Sequence, residues 1–350
     1  MSSGRRTEFL FFATGLVFLA FGLLCTPENL LKLEIMENAI ESPSELVRKG
    51  ARLEIEGARA VAFTTAAVLF GLLPFWPRIE ASARYRAFMD RRRVSLREHR
   101  LFRRRIRTPS FAVMMAAIAL VFLYIALADK LLTPEQMLRV QMEDGIIEGT
   151  SALFLLCASV LSVRIALRLG RGRPEFYMHL FLGLLFFVMC GEEISWGQRY
   201  LGLQTPEFIS AVNVQGEINF HNVYGYLFDH IFILGFLTWG VAVPLLDRFA
   251  PFFRQLFAAI GLPVPSAGLA VAMLVISMIQ SVIVYKFIDP FTDPSLPVLR
   301  LPEPRELLSA LAFFVLMMEV WVLVGLQAPA DRQRAASEDG LGTPDSPRRS

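Results

Sequence analysis

The sequence predicts an all-α fold, a polytopic transmembrane helix bundle of about eight spans. The 350 residues are 54% hydrophobic with a mean hydropathy of +0.48, which is more apolar than ordinary soluble domains. Apolar runs recur at roughly the 20 residues that a helix needs to cross a hydrocarbon core of about 30 Å. Lysine and arginine are concentrated in alternate loops, which is typical of chains that cross a membrane several times.

The predicted spans form one transmembrane helical domain, residues 1–328. We expect the first span to be an uncleaved signal anchor, because Arg5 and Arg6 precede it and no small-residue cleavage site follows. The eight predicted spans cover residues 9–25, 59–76, 110–128, 146–167, 176–196, 222–246, 267–287 and 307–326.

The charge distribution predicts that both termini lie inside (N-in/C-in). In this orientation the inner segments hold 24 of the 35 lysine and arginine residues. The inner loop 77–108 has arginine triplets with aromatic residues nearby, a pattern that nucleic-acid-binding segments also show. We interpret it as a basic cytoplasmic loop resting on anionic lipid, and we expect no nucleic-acid partner. The composition of residues 329–350 predicts a disordered cytoplasmic tail.

The tripeptide Thr-Pro-Glu occurs three times on the predicted outer side, at 26–28, 133–135 and 205–207. A capping hydroxyl, a proline that needs no N–H donor and an acid in the first turn predict the start of a short interfacial helix. The sequences that follow the first two copies also align. This likeness suits either independent helix starts or a duplicated hairpin of span, surface helix and span.

The strongest functional candidate is the stretch Cys190-Gly191-Glu192-Glu193-Ile194-Ser195-Trp196-Gly197-Gln198-Arg199, at the end of the fifth predicted span. Glu192 lies roughly 24 Å along a span that begins near Phe176, about one turn short of the far boundary. Carboxylates at that depth are costly and usually face a protein interior or an aqueous cavity. If the helix continues, Glu192, Ser195 and Arg199 share one face, and Arg199 lowers the cost of the buried acid.

Two further polar groups lie at the same predicted membrane level. One opens the fourth span with Glu143, Asp144 and Glu148, and the other precedes the sixth span. In the second group Glu217 and His221 are four residues apart, which places them side by side on a helix. The predicted catalytic residues are Glu148, Glu192, Glu193 and His221. The predicted substrate-binding residues are Trp196, Gln198, Arg199 and Asn222.

Carboxylates with one imidazole suit a hard or borderline divalent metal ion such as Mg²⁺, Ca²⁺, Mn²⁺ or Zn²⁺. The candidate ligands are Glu148, Glu192, Glu193, Glu217 and His221, although the sequence has no tight ligand spacing of the His-Glu-x-x-His kind. Two plainer interpretations stay open: a surface ion pair between Glu217 and His221, and a structural charge network around Arg199. Trp196 and Tyr200 also suit an interfacial aromatic belt.

The three cysteines have no metal-binding spacing. Cys25 and Cys190 both fall at outer span ends, so a disulfide between them is geometrically conceivable. Free thiols are the expectation that we favour for all three.

The three polar groups together resemble a family of uncharacterised bacterial multispan membrane proteins. The resemblance covers about residues 130–230 and is carried by Glu143-Asp144-Gly145-x-x-Glu148, by Gly191-Glu192-Glu193-Ile194-Ser195-Trp196-Gly197-Gln198-Arg199, and by Asn213-x-Gln215-Gly216-Glu217-x-Asn219-x-His221-Asn222. It implies a bacterial origin and no particular activity. A looser likeness to ceramidase-type membrane hydrolases fails on the number of histidines.

Three functions remain open at this stage. The first is a membrane enzyme, a hydrolase or transferase, that acts on a lipid or lipid-linked substrate at the outer leaflet with acid–base or metal assistance. The second is a proton- or ion-coupled transporter that uses the same acids as relay sites. The inner halves of the fifth and sixth spans are nearly all apolar, which disfavours a transporter. Only Glu319 in the eighth span favours it. The third is a scaffold or assembly factor whose polar cluster holds the helices together.

Overall fold

The structure, a computed structural model, describes residues 3–90, 107–141, 145–220, 222–224, 227–279 and 302–339. These residues are almost entirely helical, and the part of the chain that is described has no strand beyond an isolated bridge between Asn213 and Val223. Seven helices are long and apolar enough to cross a membrane. The described part of the chain therefore has an all-helical fold, and its seven candidate spans indicate a multi-pass membrane protein.

The seven candidate spans correspond to predicted spans one to six and eight. They cover Thr7–Leu24, Glu45–Ala81, Thr108–Ala128, Ile146–Leu169, Pro174–Glu193, Leu227–Phe249 and Glu303–Gly325. The seventh predicted span, 267–287, is described only as far as residue 279. Its described helix, Ala267–Met278, is too short to count as a span, and the rest lies outside the described residues.

The described chain divides into two compact units. In the first unit, residues 3–90 and 191–238, the helices are α1 (Ser3–Leu24), α2 (Pro27–Lys32), α3 (Glu37–Ile40), α4 (Glu45–Leu72), α5 (Trp76–Ala81), α6 (Ala83–Asp90), α11 (Gln198–Leu201), α12 (Glu207–Ser210) and α13 (Leu227–Leu237). In the second, they are α7 (Arg107–Leu131), α8 (Pro134–Gln141), α9 (Ile146–Leu169), α10 (Pro174–Glu193, whose last three residues belong to the first unit), α14 (Val243–Phe249), α15 (Pro251–Ile260), α16 (Ala267–Met278) and α17 (Pro302–Asp339).

In the first unit, α1 and α4 pack as an antiparallel pair because glycines on α1 leave room for phenyl rings on α4. A Cβ atom on Gly15 would lie 2.8 Å from the ring of Phe70, and one on Gly22 would lie 2.8 Å from the ring of Phe63. Close approach at small residues is the usual way for membrane helices to gain van der Waals contact. At the same level the Arg59 side chain donates a hydrogen bond of 3.1 Å to the carbonyl of Gly22.

Helix α4 is longer than a membrane requires. Its 28 residues span about 42 Å against a hydrocarbon core of about 30 Å. The predicted span at 59–76 matches the apolar second half, whereas the first half begins at Glu45 and carries six charged side chains before Arg59. The excess length therefore provides a polar extension on which other parts of the unit can pack.

The second unit is a helix bundle around α17, the most deeply buried of the candidate spans. This helix packs against α7, α9 and α16, and small residues such as Ala310 and Ala312 are buried in it. Helices α9 and α10 are joined by two hydrogen bonds, from Ser159 to the carbonyl of Gly183 (2.7 Å) and from Ser162 to that of His179 (2.9 Å). The stripe of serines on α9 is thus a packing face.

Two of the three Thr-Pro-Glu motifs begin helices in the predicted way. The Thr26 hydroxyl caps α2 by accepting the Asn29 N–H at 3.3 Å, and Thr133 caps α8 by accepting the Gln136 N–H at 3.3 Å. In the third copy α12 begins at Glu207 after an N-cap at Pro206, so Thr205 is left for another role.

Two other expectations concern the cysteines and the chain end. Cys25, Cys157 and Cys190 are all free thiols, as favoured above. Helix α17 extends to Asp339, so the segment 329–350 begins as a continuation of the helix, and residues 340–350 lie outside the described part.

Candidate functional site

The candidate site is a compact, irregular segment that follows α10, and we call it the cap: the described residues of 194–224. The helix of the fifth span, predicted to end at residue 196, ends at Glu193, so it does not continue to Arg199. The chain then makes a left-handed turn with φ of +45° at Ser195, +54° at Trp196 and +74° at Gly197. This backbone costs about 1–2 kcal/mol for each residue other than glycine, so the surroundings must stabilise it.

Trp196 is folded back onto the end of α10 by that turn. Its indole N–H donates a hydrogen bond of 2.8 Å to Glu192 Oε1. Its ring lies over Gly191, where a Cβ atom would approach the ring to 2.8 Å. The Gly-Glu pair at the end of α10 thus holds the left-handed turn in place.

Glu217 is the centre of the cap. Its Oε2 accepts hydrogen bonds from the Ser195 hydroxyl (2.8 Å) and from Asn219 Nδ2 (2.7 Å). Its Oε1 forms an ion pair with the Arg199 guanidinium at 2.6 Å. Ser195 and Asn219 are buried, so the carboxylate is held by three donors in a largely dry environment. A carboxylate in such surroundings is stable only because its charge is matched and hydrogen-bonded.

Asn213 organises the backbone around Glu217. Its Oδ1 accepts the N–H groups of Gln215 (2.9 Å) and Glu217 (3.3 Å), while its Nδ2 donates to the carbonyl of Asn219 at 2.9 Å. A buried amide can satisfy donors and acceptors at once, which is what a non-helical loop needs.

Gln198 and Thr205 connect the two halves of the cap. Gln198 Nε2 donates to the Thr205 hydroxyl at 2.7 Å, and its Oε1 accepts the N–H of Ile218 at 2.6 Å. Thr205 in turn donates to the carbonyl of Gly216 at 2.5 Å. The third Thr-Pro-Glu threonine therefore serves the cap instead of starting a helix.

Glu192 joins the end of α10 to the end of the cap. Its Oε2 accepts the N–H of Phe220 at 2.5 Å, while its Oε1 is held by Trp196. Phe220 precedes His221 in the sequence, so the backbone beside a predicted acid–base residue is tethered to Glu192.

The cap is anchored on the extension of α4. A Cβ atom on Gly50 would lie 1.9 Å from the carbonyl oxygen of Tyr224, so only glycine permits this approach. The Lys49 ammonium lies 5.3 Å from the centroid of the Tyr224 ring, within range of a cation–π interaction. A little further along, His230 Nδ1 and Glu54 Oε2 are 2.8 Å apart, which joins α13 to α4.

The structure brings together most of the predicted site residues from the fifth span and the segment after it. Glu192, Trp196, Gln198 and Arg199 all take part in the cap, and Asn222 donates to the side chain of Gln215. Glu193 is half-buried at the end of α10, and Glu148 lies in the first turn of α9 in the second unit. Glu143, Asp144 and His221 lie outside the described residues.

Two geometric relations differ from those that a continuous helix would give. The condition for Glu192 and Arg199 to share a helical face is not met, and Arg199 pairs with Glu217. The segment that holds Glu217 is not helical, so the four-residue spacing to His221 does not make a helical pair. Sequence reasoning also missed Ser195, Asn213 and Asn219 as the residues that support Glu217. The one signal for them is the Asn-x-Gln-Gly composition, which is typical of turns.

The described residues contain no group of three His, Cys, Asp or Glu side chains arranged to hold a metal ion. Glu217 is surrounded by N–H and O–H donors, which suit an ion pair better than a cation site. Of the five proposed ligands, His221 lies outside the described residues, and the structure describes Glu148, Glu192, Glu193 and Glu217.

Comparison with known proteins gave no assignment: no protein-family model, no curated protein and no solved structure matches this chain.

Proposed function

We propose that this chain is a multi-pass protein of a bacterial inner membrane that acts on a lipid or a lipid-linked substrate at the outer leaflet. The transformation would be of the hydrolase or transferase type, with Glu192 and His221 as acid and base. Orientation and origin rest on the distribution of positive charge and on the resemblance to bacterial multispan proteins described above.

The observation that carries the proposal is the placement of Glu192 at the edge of the cap. Glu217 lies inside the cap, where it pairs with Arg199 at 2.6 Å. Glu192 accepts the indole N–H of Trp196 and the backbone N–H of Phe220, at a half-buried position beside exposed aromatic side chains. A fixed, partly accessible carboxylate at the edge of an apolar surface is suited to proton transfer with a lipid head group.

Other site residues take supporting roles in this proposal. Glu193 follows Glu192 at the end of the helix and supplies a second carboxylate, while Trp196 contributes an exposed ring for substrate contact. Gln198, Arg199 and Asn222 support the cap that presents these groups. Glu148, in the second unit, remains a proposed member on the ground of its sequence position alone.

A metal-assisted version of the proposal assigns a divalent ion to Glu192, Glu193 and His221. Chelation with EDTA should then abolish the activity of the purified protein on extracted lipid, and one divalent ion should restore it. Full activity after chelation would contradict the metal-assisted version and would support acid–base catalysis that needs no metal ion.

The test of the proposed function is the lipid and lipid-linked glycan profile of cells that carry Glu192→Gln, compared with wild type and with a strain lacking the protein. Glutamine preserves the size of the side chain and one acceptor but removes the charge. We expect Glu192→Gln to reproduce the lipid profile of the strain without the protein. The matched control is Glu207→Gln, an exposed acid on α12, which should give the wild-type profile.

The proposal fails if Glu192→Gln is folded in the membrane and leaves every lipid and glycan at its wild-type level. Folding is checked by the thermal transition of the purified protein in detergent.

A second candidate function is a membrane scaffold or assembly factor. It is favoured by the internal hydrogen bonding of the cap, in which Arg199, Gln198 and Glu217 are already engaged with one another or with the backbone. The scaffold predicts that Glu192→Gln loses stability and phenotype together. The enzyme predicts loss of the phenotype in a variant whose stability is close to wild type.

A further inference from the structure

We propose that the cap lies in the interfacial layer of the membrane, with its outer surface against phospholipid, instead of projecting into water. The inference concerns where the cap resides. It goes beyond the proposed activity and holds for an enzyme or for a scaffold.

The first observation is the scarcity of exposed charge. Residues 194–220 include only three charged side chains, Arg199, Glu207 and Glu217. Arg199 and Glu217 pair with each other at 2.6 Å. Glu207 is thus the one exposed acid of this stretch, and a segment with so little charge on its exterior is atypical of a water-exposed loop.

The second observation is what the exterior carries instead. Tyr200 is 73% exposed and Phe208 is 75% exposed. The exposed large hydrophobic side chains of the described cap residues are Trp196, Tyr200, Leu201, Leu203, Phe208, Val214 and Phe220. Aromatic side chains with a polar atom are enriched at the head-group level of membranes, where the ring is in an apolar layer and the polar tip is hydrated.

The third observation is that the irregular backbone of the cap finds hydrogen-bond partners inside the cap. Asn213 and Gln198 accept backbone N–H groups of Gln215, Glu217 and Ile218, and Thr205 donates to a backbone carbonyl. Irregular backbone tolerates a water-poor environment only when such groups are satisfied within the protein. The cap meets this requirement at these positions, and its exposed polar side chains, Gln204, Glu207, Ser210 and Gln215, suit the hydrated head-group layer.

The fourth observation identifies lipid as the covering partner. The cap leads through residues 225 and 226 into α13, which opens a candidate span. The exposed side chains of that span include Phe228, Ile231 and Leu234, which lipid covers in a membrane. The exposed surface of the cap therefore continues in the chain into a surface that already faces lipid, and the bilayer around the protein is the occupant that this continuity supports.

The test places a fluorescent side chain on the exposed surface. Phe208→Trp and Tyr200→Trp each add an indole at an exposed aromatic position, and the added emission is obtained by subtracting wild type. The protein is reconstituted in vesicles of phosphatidylcholine and phosphatidylglycerol. Quenching is then measured with phosphatidylcholine brominated at the upper acyl chain and, separately, with aqueous iodide. Glu135→Trp is the matched control, because Glu135 lies on α8 with 77% of its side chain exposed.

We expect the emission added by Phe208→Trp to be lost with brominated lipid and to be nearly unchanged by iodide, with the opposite result for Glu135→Trp. The proposal is overturned if iodide quenches Phe208→Trp and Tyr200→Trp as strongly as Glu135→Trp and brominated lipid does not. It is also overturned if neither quencher reaches them and the purified protein elutes as a dimer, because the surface is then covered by a second copy. Two probe positions keep the test valid if one variant does not fold.

Discussion

The cap of the first unit and the helix bundle of the second unit use buried polar side chains in different ways. In the bundle, α17 buries mainly alanine, leucine, methionine and phenylalanine, because a regular helix satisfies its own N–H and C=O groups. The buried serines Ser159 and Ser162 on α9 join this helix to α10 by hydrogen bonds to carbonyl groups. The cap has little regular structure, so Ser195, Asn213 and Asn219 supply hydrogen bonds to its interior. Buried polar side chains therefore satisfy irregular backbone in the cap, whereas in the bundle they join neighbouring helices.

The same contrast separates the acids of the protein. Glu319 on α17 is buried in the bundle and accepts the N–H of Ser266 at 3.1 Å, at the start of α16. Glu217 accepts an arginine and two neutral donors, and Glu192 accepts the N–H groups of Trp196 and Phe220. The hydrogen-bond partners therefore distinguish carboxylates that depth in the membrane alone does not.

The largest effect is expected from Glu217→Ala in the cap. It leaves the Arg199 guanidinium without its carboxylate and removes the acceptor of Ser195 and Asn219, which should lower the free energy of unfolding by about 3–5 kcal/mol. The measurement is thermal or denaturant unfolding in detergent, with Glu207→Ala as the control that should change little. A loss no larger than that of the control would contradict the central role of Glu217.

A smaller but clear effect is expected from overfilling the bundle. Ala312 on α17 is completely buried, and Ala312→Leu should cost about 1–3 kcal/mol because the added atoms force neighbouring side chains or helices apart. Ala116→Leu makes the same change at an exposed position of α7 and should be nearly neutral. Equal unfolding temperatures for the two variants would show that the bundle is not closely packed at Ala312.

The anchor of the cap on α4 can be tested with two glycines of the same helix. Gly50→Ala should cost about 1–3 kcal/mol, since its Cβ atom would meet the Tyr224 carbonyl at 1.9 Å and one backbone must shift. Gly57 has open space around it, so Gly57→Ala should stabilise the helix by about 0.5–1 kcal/mol. If both substitutions change the free energy of unfolding in the same direction, Gly50 is not a point of contact with Tyr224.

The smallest difference is expected between two threonines of the same motif. Thr133→Ala removes an exposed helix cap and should cost about 1 kcal/mol. Thr205→Ala deprives the Gly216 carbonyl and the Gln198 amide of their partner, which should cost about 1–3 kcal/mol. Unfolding of both variants, measured under the same conditions, shows which substitution costs more stability. A larger loss of stability for Thr133→Ala would contradict the role of Thr205 in the hydrogen bonds of the cap.

Much of the fold was predictable because it depends on local properties. The length of each apolar run and the caps at Thr26 and Thr133 follow from residues that are close in the sequence. The seven candidate spans begin or end within a few residues of the predicted ones, except that α4 begins at Glu45 and α13 begins at Leu227. Charged residues precede the apolar run of α4, and turn-forming residues precede that of α13.

The site was predicted as a list of residues and not as an arrangement. The sequence by itself determined that acids at the end of the fifth span and in the segment before the sixth are unusual, since burial of charge is costly for any fold. Only the tertiary structure decided that Arg199 pairs with Glu217, that Trp196 turns back onto Glu192 and that Thr205 leaves its helix for the cap. The physical reason is the left-handed turn at Ser195. A reversal of three residues changes which side chains face each other. Its cost is offset by the hydrogen bond of Trp196 to Glu192 and by contacts of Ser195 with residues more than twenty positions further along the chain.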